Sequence, residues 1–111
     1  MDKLEQYRSY IKQMLKKYAS HPSLNPTIER EFICDTESDR YQIVNMGWDK
    51  HRRIYGCSMH LDIKNGKIWI QHNMTDVDIA EELVNMGVPK QDIVLGFHSP
   101  FMRQFTDYAV S

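Results

Sequence analysis

The sequence predicts an α+β fold: one antiparallel sheet of four or five strands, in the order α-β-β-β-β-α-β, with helices covering one face. Three observations predict it. Apolar residues near the start recur at helical spacing, and the middle of the chain alternates apolar and polar positions in successive runs. Asn65-Gly66 joins two of those runs as a two-residue hairpin loop. Short connections between successive strands make them antiparallel.

Each element has a local cause. Leu4, Tyr7, Ile11, Met14, Leu15 and Tyr18 share one face of a helix. Asp2 and Glu5 near its start, and Lys16 and Lys17 near its end, suit the helix dipole. Pro22 and Pro26 then break it. Ile28, Phe32 and Cys34 alternate as a half-buried strand, and residues 40–48 form a second strand centred on Ile43 and Val44. The third strand, residues 52–63, presents Tyr55, Cys57, Met59, Leu61 and Ile63 on one nearly apolar face.

The Asn65-Gly66 loop sets a register, because a type I′ turn leaves no slack between the strands. Ile63 faces Ile68 and Leu61 faces Ile70 on the core side. On the opposite side Asp62 faces Trp69, and His60 faces Gln71. Thr75 caps a second helix that ends at Gly87, a left-handed terminator. Its apolar residues Val77, Ile79, Ala80, Leu83, Val84 and Met86 cover about half the circumference, wider than one sheet contact needs. DIVLGF is a last strand, and HSPFMRQF a turn or short helical piece.

The totals bound the class. The chain has 111 residues, the size of one domain, so the whole length 1–111 reads as a single unit able to bury a core without metal or disulfides. Formal net charge is −1, against the clearly basic balance of domains that grip DNA phosphates unaided. Cys34 and Cys57 lie in strand-like runs, outside any CxxC pair, and read as buried thiols of a reducing compartment. The opening residues carry no apolar signal core, and no apolar run approaches the ~20 residues that span a bilayer. The reading is a cytoplasmic protein.

No catalytic constellation emerges. His21, His51, His60, His72 and His98 are scattered without metal-ligand spacing. Cys57 sits mid-strand, where a thiol stays protonated. There is no phosphate-cradling glycine loop. Asp76, Asp78, Glu81 and Glu82 read as a solvated helix start. So no catalytic residue, metal ligand or cofactor is assigned. Lys50, His51, Arg52 and Arg53 form a basic hairpin tip, the candidate nucleic-acid contact. Trp69, Gln71 and Asn73 share the mixed sheet face, and Ile79 and Met86 sit at the margin of the wide apolar helix. These five are the candidate partner contacts, and a homodimer is the simplest way to cover them.

Three stretches carry a resemblance. GWDKHRRIYG, GKIWIQ and GVPKQDIVLGFH place unusual residues at fixed spacing, and the similarity extends over essentially the whole chain. The chain resembles the XisI family, the fdxN element excision controlling factors of cyanobacteria. The resemblance implies a part in programmed excision of a DNA element during heterocyst differentiation. A separate site-specific recombinase would cut and rejoin the DNA, and a XisH-like protein would be the direct partner. It carries over no catalytic residues. A direct DNA-binding regulator is the alternative, and a small metal-dependent hydrolase or nuclease the least supported class.

Overall fold

The computed structural model describes residues 2–21 and 25–111. The expected helix break at Pro22 lies outside them. Helix α1 (Lys3–Ala19) is followed by strands β1 (Ile28–Asp35), β2 (Arg40–Asp49), β3 (Arg52–Lys64) and β4 (Lys67–Asn73). Then come helix α2 (Ile79–Met86), a short 3-10 turn at Lys90–Asp92, strand β5 (Ile93–Leu95) and a single-turn helix α3 (Pro100–Arg103). The five strands lie side by side in chain order.

The strand pairings from β1 to β4 are antiparallel, but β5 runs parallel to β4. The expected antiparallel pairing thus holds for four strands, and only the fifth departs from it. Helix α2 carries the chain back to the starting edge, and a return of that kind delivers a parallel strand. The β5 edge is partly closed by the C-terminal segment, where the Ala109 amide donates to the Ile93 carbonyl.

The hairpin loop behaves as the residues predict. Asn65 and Gly66 both have positive φ, and Ile63 pairs with Ile68, Asp62 with Trp69 and Leu61 with Ile70. One residue further the register slips. His60 faces His72 rather than Gln71, because Gln71 is the extra residue of a bulge. A second bulge inserts Ser58 between the pairs Ile43–Met59 and Val44–Cys57. Alternation therefore inverts along β3. Met59, Leu61 and Ile63 point into the core, whereas Tyr55, expected on the same face, is 70% exposed.

One core holds the molecule together. Tyr7, Ile11, Met14 and Leu15 of α1 and Ile79, Ala80 and Leu83 of α2 meet Tyr41, Ile43, Met59, Leu61, Ile63, Ile68, Ile70 and Ile93 of the sheet. Each fully buried Leu or Ile contributes about 1.5–3 kcal/mol over leaving it in water. Two carboxylates pin α1 in place. Asp39, in the β1–β2 turn, accepts both ends of the Arg8 guanidinium and the Tyr41 hydroxyl. Asp92 accepts the Tyr7 hydroxyl and pairs with Lys3 at 2.7 Å. Helix α3 stands apart from the other two, because its Arg103 guanidinium lies over the Trp69 indole, on the face away from the core.

Local chemistry moves one helix start. Asp78, not Thr75, is the N-cap of α2, its carboxylate accepting the Glu81 amide. Thr75 belongs instead to a turn built by Asn73, whose Oδ1 accepts the Thr75 amide and hydroxyl while its amide donates to the Val77 carbonyl. Gly87 terminates α2 in the left-handed conformation. Cys34 is exposed on the edge strand, so the expectation of two buried thiols holds for neither in full: Cys57 is half-buried. Among the described residues no helix is long and apolar enough to cross a membrane.

Candidate functional site

The face of the sheet turned away from the core is where the unusual groups gather. A polar chain crosses its middle. Asp62, only 6% exposed, takes a hydrogen bond from Gln71 Nε2 at 3.2 Å and lies 2.9 Å from His60 Nε2. Arg40 approaches the same carboxylate at 3.7 Å. The Gln42 amide nitrogen sits 3.3 Å from His60 Nδ1. Because an amide nitrogen donates, His60 Nδ1 accepts and its Nε2–H points to Asp62. His60, Gln71 and Arg40 thus satisfy a carboxylate that would be costly to bury alone, and Gln42 holds the His60 ring.

Beside this chain, Trp69 is half-buried between two cations. Lys64 Nζ lies 4.5 Å and the Arg103 guanidinium carbon 5.1 Å from its ring centroid. Arg103 also donates to the carbonyls of Leu95, Gly96, His98 and Val110, so one side chain organises the whole C-terminal segment. Trp69 is accordingly covered by local groups, although its indole N–H has no hydrogen-bond partner among the described residues.

Towards the β2–β3 hairpin the outer face becomes apolar. Trp48 is 51% exposed, Tyr55 is exposed, and Met46 pairs with Tyr55 across the strands; the exposed Ile33 lies at the other end of the face, opposite Gln42. The Arg53 guanidinium lies 5.3 Å from the Trp48 ring centroid. The Ser58 bulge is the cause, since it turns Tyr55 outward. Trp, Tyr and Arg side chains on an open sheet face are the composition of interface hot spots.

The sequence candidates fare unevenly. Lys50, His51, Arg52 and Arg53 are all exposed at the hairpin tip, with Arg52 3.6 Å from Asp49. Trp69 and Gln71 lie together on the outer face, both engaged as described. Asn73 is spent on its turn. Ile79 is 1% exposed, so as a partner contact it is corrected: α1 and the sheet cover the margin of α2 that the helix pattern left open. Met86 is partly buried against the same core. His60 and His72 are brought opposite each other by the Gln71 bulge, yet no group of three or more His, Cys, Asp or Glu side chains among the described residues is placed to hold a metal ion. Cys57 donates its thiol to the Met59 carbonyl, and burial pushes its pKa up.

Sequence reasoning missed the C-terminal aromatics. Phe97, Phe101, Met102 and Phe105 are exposed, and Phe101 and Phe105 meet edge-to-face at 5.3 Å. Their spacing of four residues was the available signal.

These features define a small α+β domain with a closed core and an outer sheet face rich in contact-forming side chains. The model of the XisI protein family matches residues 1–110, and the chain belongs to that family. A crystal structure of a XisI-like protein from Anabaena variabilis is 50% identical, with 97% of this chain and 99% of that chain covered at a TM-score of 0.92. The structure of the fdxN element excision controlling factor XisI from Anabaena variabilis is 37% identical, covering 99% of this chain and 100% of that chain at a TM-score of 0.87. No curated protein matches the chain.

Proposed function

We propose that this XisI family member is a cytoplasmic, non-enzymatic controlling factor for excision of an fdxN-type DNA element during heterocyst differentiation. It acts through protein contacts with a XisH-like partner, while a separate recombinase cuts and rejoins the DNA. The observation that carries this reading is the open outer face, where Trp48 and Tyr55 stand exposed near Arg53. The similarity to an excision controlling factor supports the setting. In the absence of the partner the same face joins two copies as a homodimer. Co-expression with a XisH-like protein followed by size-exclusion chromatography tests the pairing. One joint peak is the expected result, and two independent peaks at micromolar concentration contradict it.

A second reading, direct DNA binding, rests on one observation: Lys50, His51, Arg52 and Arg53 are exposed together at a single hairpin tip. Titration of element-border DNA against salt separates the two. Phosphate contacts lower affinity by about 0.9 log unit per contact per decade of salt on duplex DNA. No binding at low salt removes this reading.

A further inference from the structure

A cavity of about 220 Å³ opens where the parallel strands β4 and β5 end, under the start of α2. Its apolar wall is Ile70, Ile79, Ala80, Leu95, Phe97 and Tyr108. Phe97 is half-exposed at its mouth. The crevice beyond the carboxyl ends of parallel strands is a recurrent binding position in open sheets.

The rim is acidic. Asp78 lines the cavity itself. Burial first, then the negative charges of Asp78, Glu81 and Asp107, raise the Tyr108 phenol above its ordinary pKa. Asp78 and Glu81 have an ordinary reason to be there, at the start of α2. Asp107 has none of that kind, since the C-terminal segment brings it in from outside the helix. The chain already supplies one cation to this rim: Lys90 Nζ lies 5.9 Å from the Tyr108 ring centroid and 3.8 Å from Asp107. Three carboxylates against one ammonium leave the mouth negative.

We propose that this cavity is a docking site for a segment of a partner protein that carries one apolar anchor side chain flanked by lysine or arginine. The anchor enters between Ile70, Leu95 and Phe97, and the flanking cations meet Asp78 and Glu81 as Lys90 meets Asp107. The cavity has room for one aliphatic side chain, and an apolar pocket with few charged groups fixes an occupant's orientation. This inference rests on the reading that the chain works through protein contacts, and adds to the outer face a second contact of different chemistry.

The test uses the whole chain and a fluorescein-labelled KKLKK peptide, read by fluorescence polarisation, with EELEE as the acidic control. The expected result is saturable binding of KKLKK alone, weakened by added salt. A triple variant, Asp78→Asn with Glu81→Gln and Asp107→Asn, keeps the helix cap, and should bind about tenfold more weakly, each lost ion pair giving a few-fold. Phe97→Ala should also lose binding, while Glu37→Gln, in the distant β1–β2 turn, should not. Equal affinity of wild type and triple variant, or no saturable binding, overturns the proposal. Concentration-dependent self-association that the triple variant abolishes also overturns it, in favour of a second copy of this chain. A XisH-like protein is then added as a separate arm. If it binds wild type and triple variant equally, the docking site is wrong and the protein-contact function stands. If KKLKK binds as expected and the XisH-like protein does not bind at all, the site stands and that partner is wrong.

Discussion

The two faces of the sheet are made from the same strands and obey different rules. The inner face is aliphatic and closed: Ile43, Leu61, Ile68 and Ile93 are fully buried against α1 and α2. The outer face holds a satisfied polar chain around Asp62, a tryptophan clamped by Lys64 and Arg103, and an exposed aromatic end. Stability resides in the first, and the second is free to vary with contact. The Ser58 bulge is the hinge between them, because one inserted residue sends Leu61 inward and Tyr55 outward on a single strand.

The largest expected effect breaks the comparison at that strand. Leu61→Ala should cost about 2–5 kcal/mol of unfolding free energy, while Tyr55→Ala should stay within about 0.5 kcal/mol. Urea denaturation of both variants checks this, and similar losses would mean that the outer face is also core.

Gly47 sharpens the inner side. A Cβ there would stand 2.1 Å from the Thr27 carbonyl oxygen, and the Thr27 hydroxyl itself donates to the Trp48 carbonyl. Gly47→Ala should therefore cost about 1–3 kcal/mol, as backbone must give way rather than a flexible side chain. An unchanged thermal midpoint would show that the chain before β1 shifts freely. Gly66→Val should cost about 1 kcal/mol or more, because a β-branched residue resists φ near the observed +76°.

A smaller effect separates charge from packing. The hydrogen bond from Arg8 holds the Asp39 carboxyl below its ordinary range, against the opposing effect of burial. A carboxylate whose folded pKa is depressed contributes stability that is fully present above its unfolded pKa of about 4, and loses it as pH falls through the folded value. Asp39 has a φ of 55°, which asparagine tolerates, so Asp39→Asn removes the charge and keeps the turn. The urea midpoint of the wild type should fall more than that of the variant between pH 6 and acid conditions below about pH 3. Parallel pH profiles would contradict the Arg8 clamp.

The legible parts of this fold were those decided within a few residues. The Asn65-Gly66 turn fixed three strand pairs, and the helical stripe of α1 named its buried residues. What escaped depended on distant partners. The Ser58 bulge is held where the Met74 amide donates to the Ser58 carbonyl, and Gln71 is drawn to Asp62 across the sheet. Neither bond leaves a mark in local periodicity. Thr75 and Asp78 offer equivalent cap chemistry three residues apart, and Asn73 decides between them by taking Thr75 into its own turn. The parallel β5 follows from where α2 lands. Of the candidate contacts, the exposed basic tip was readable because hairpin tips face water. Ile79 was misplaced because a helix pattern alone does not say how many neighbours will cover it.

The central claim is that the outer face carries the protein contact, and one experiment meets it directly. A Trp48→Ser, Tyr55→Ser double variant is co-expressed with a XisH-like protein and run on size-exclusion chromatography beside the wild type, with circular dichroism to establish that both are folded. The account predicts that the wild type co-elutes with the XisH-like protein and the folded double variant elutes apart from it. Co-elution of the double variant to the same extent as the wild type would contradict the claim.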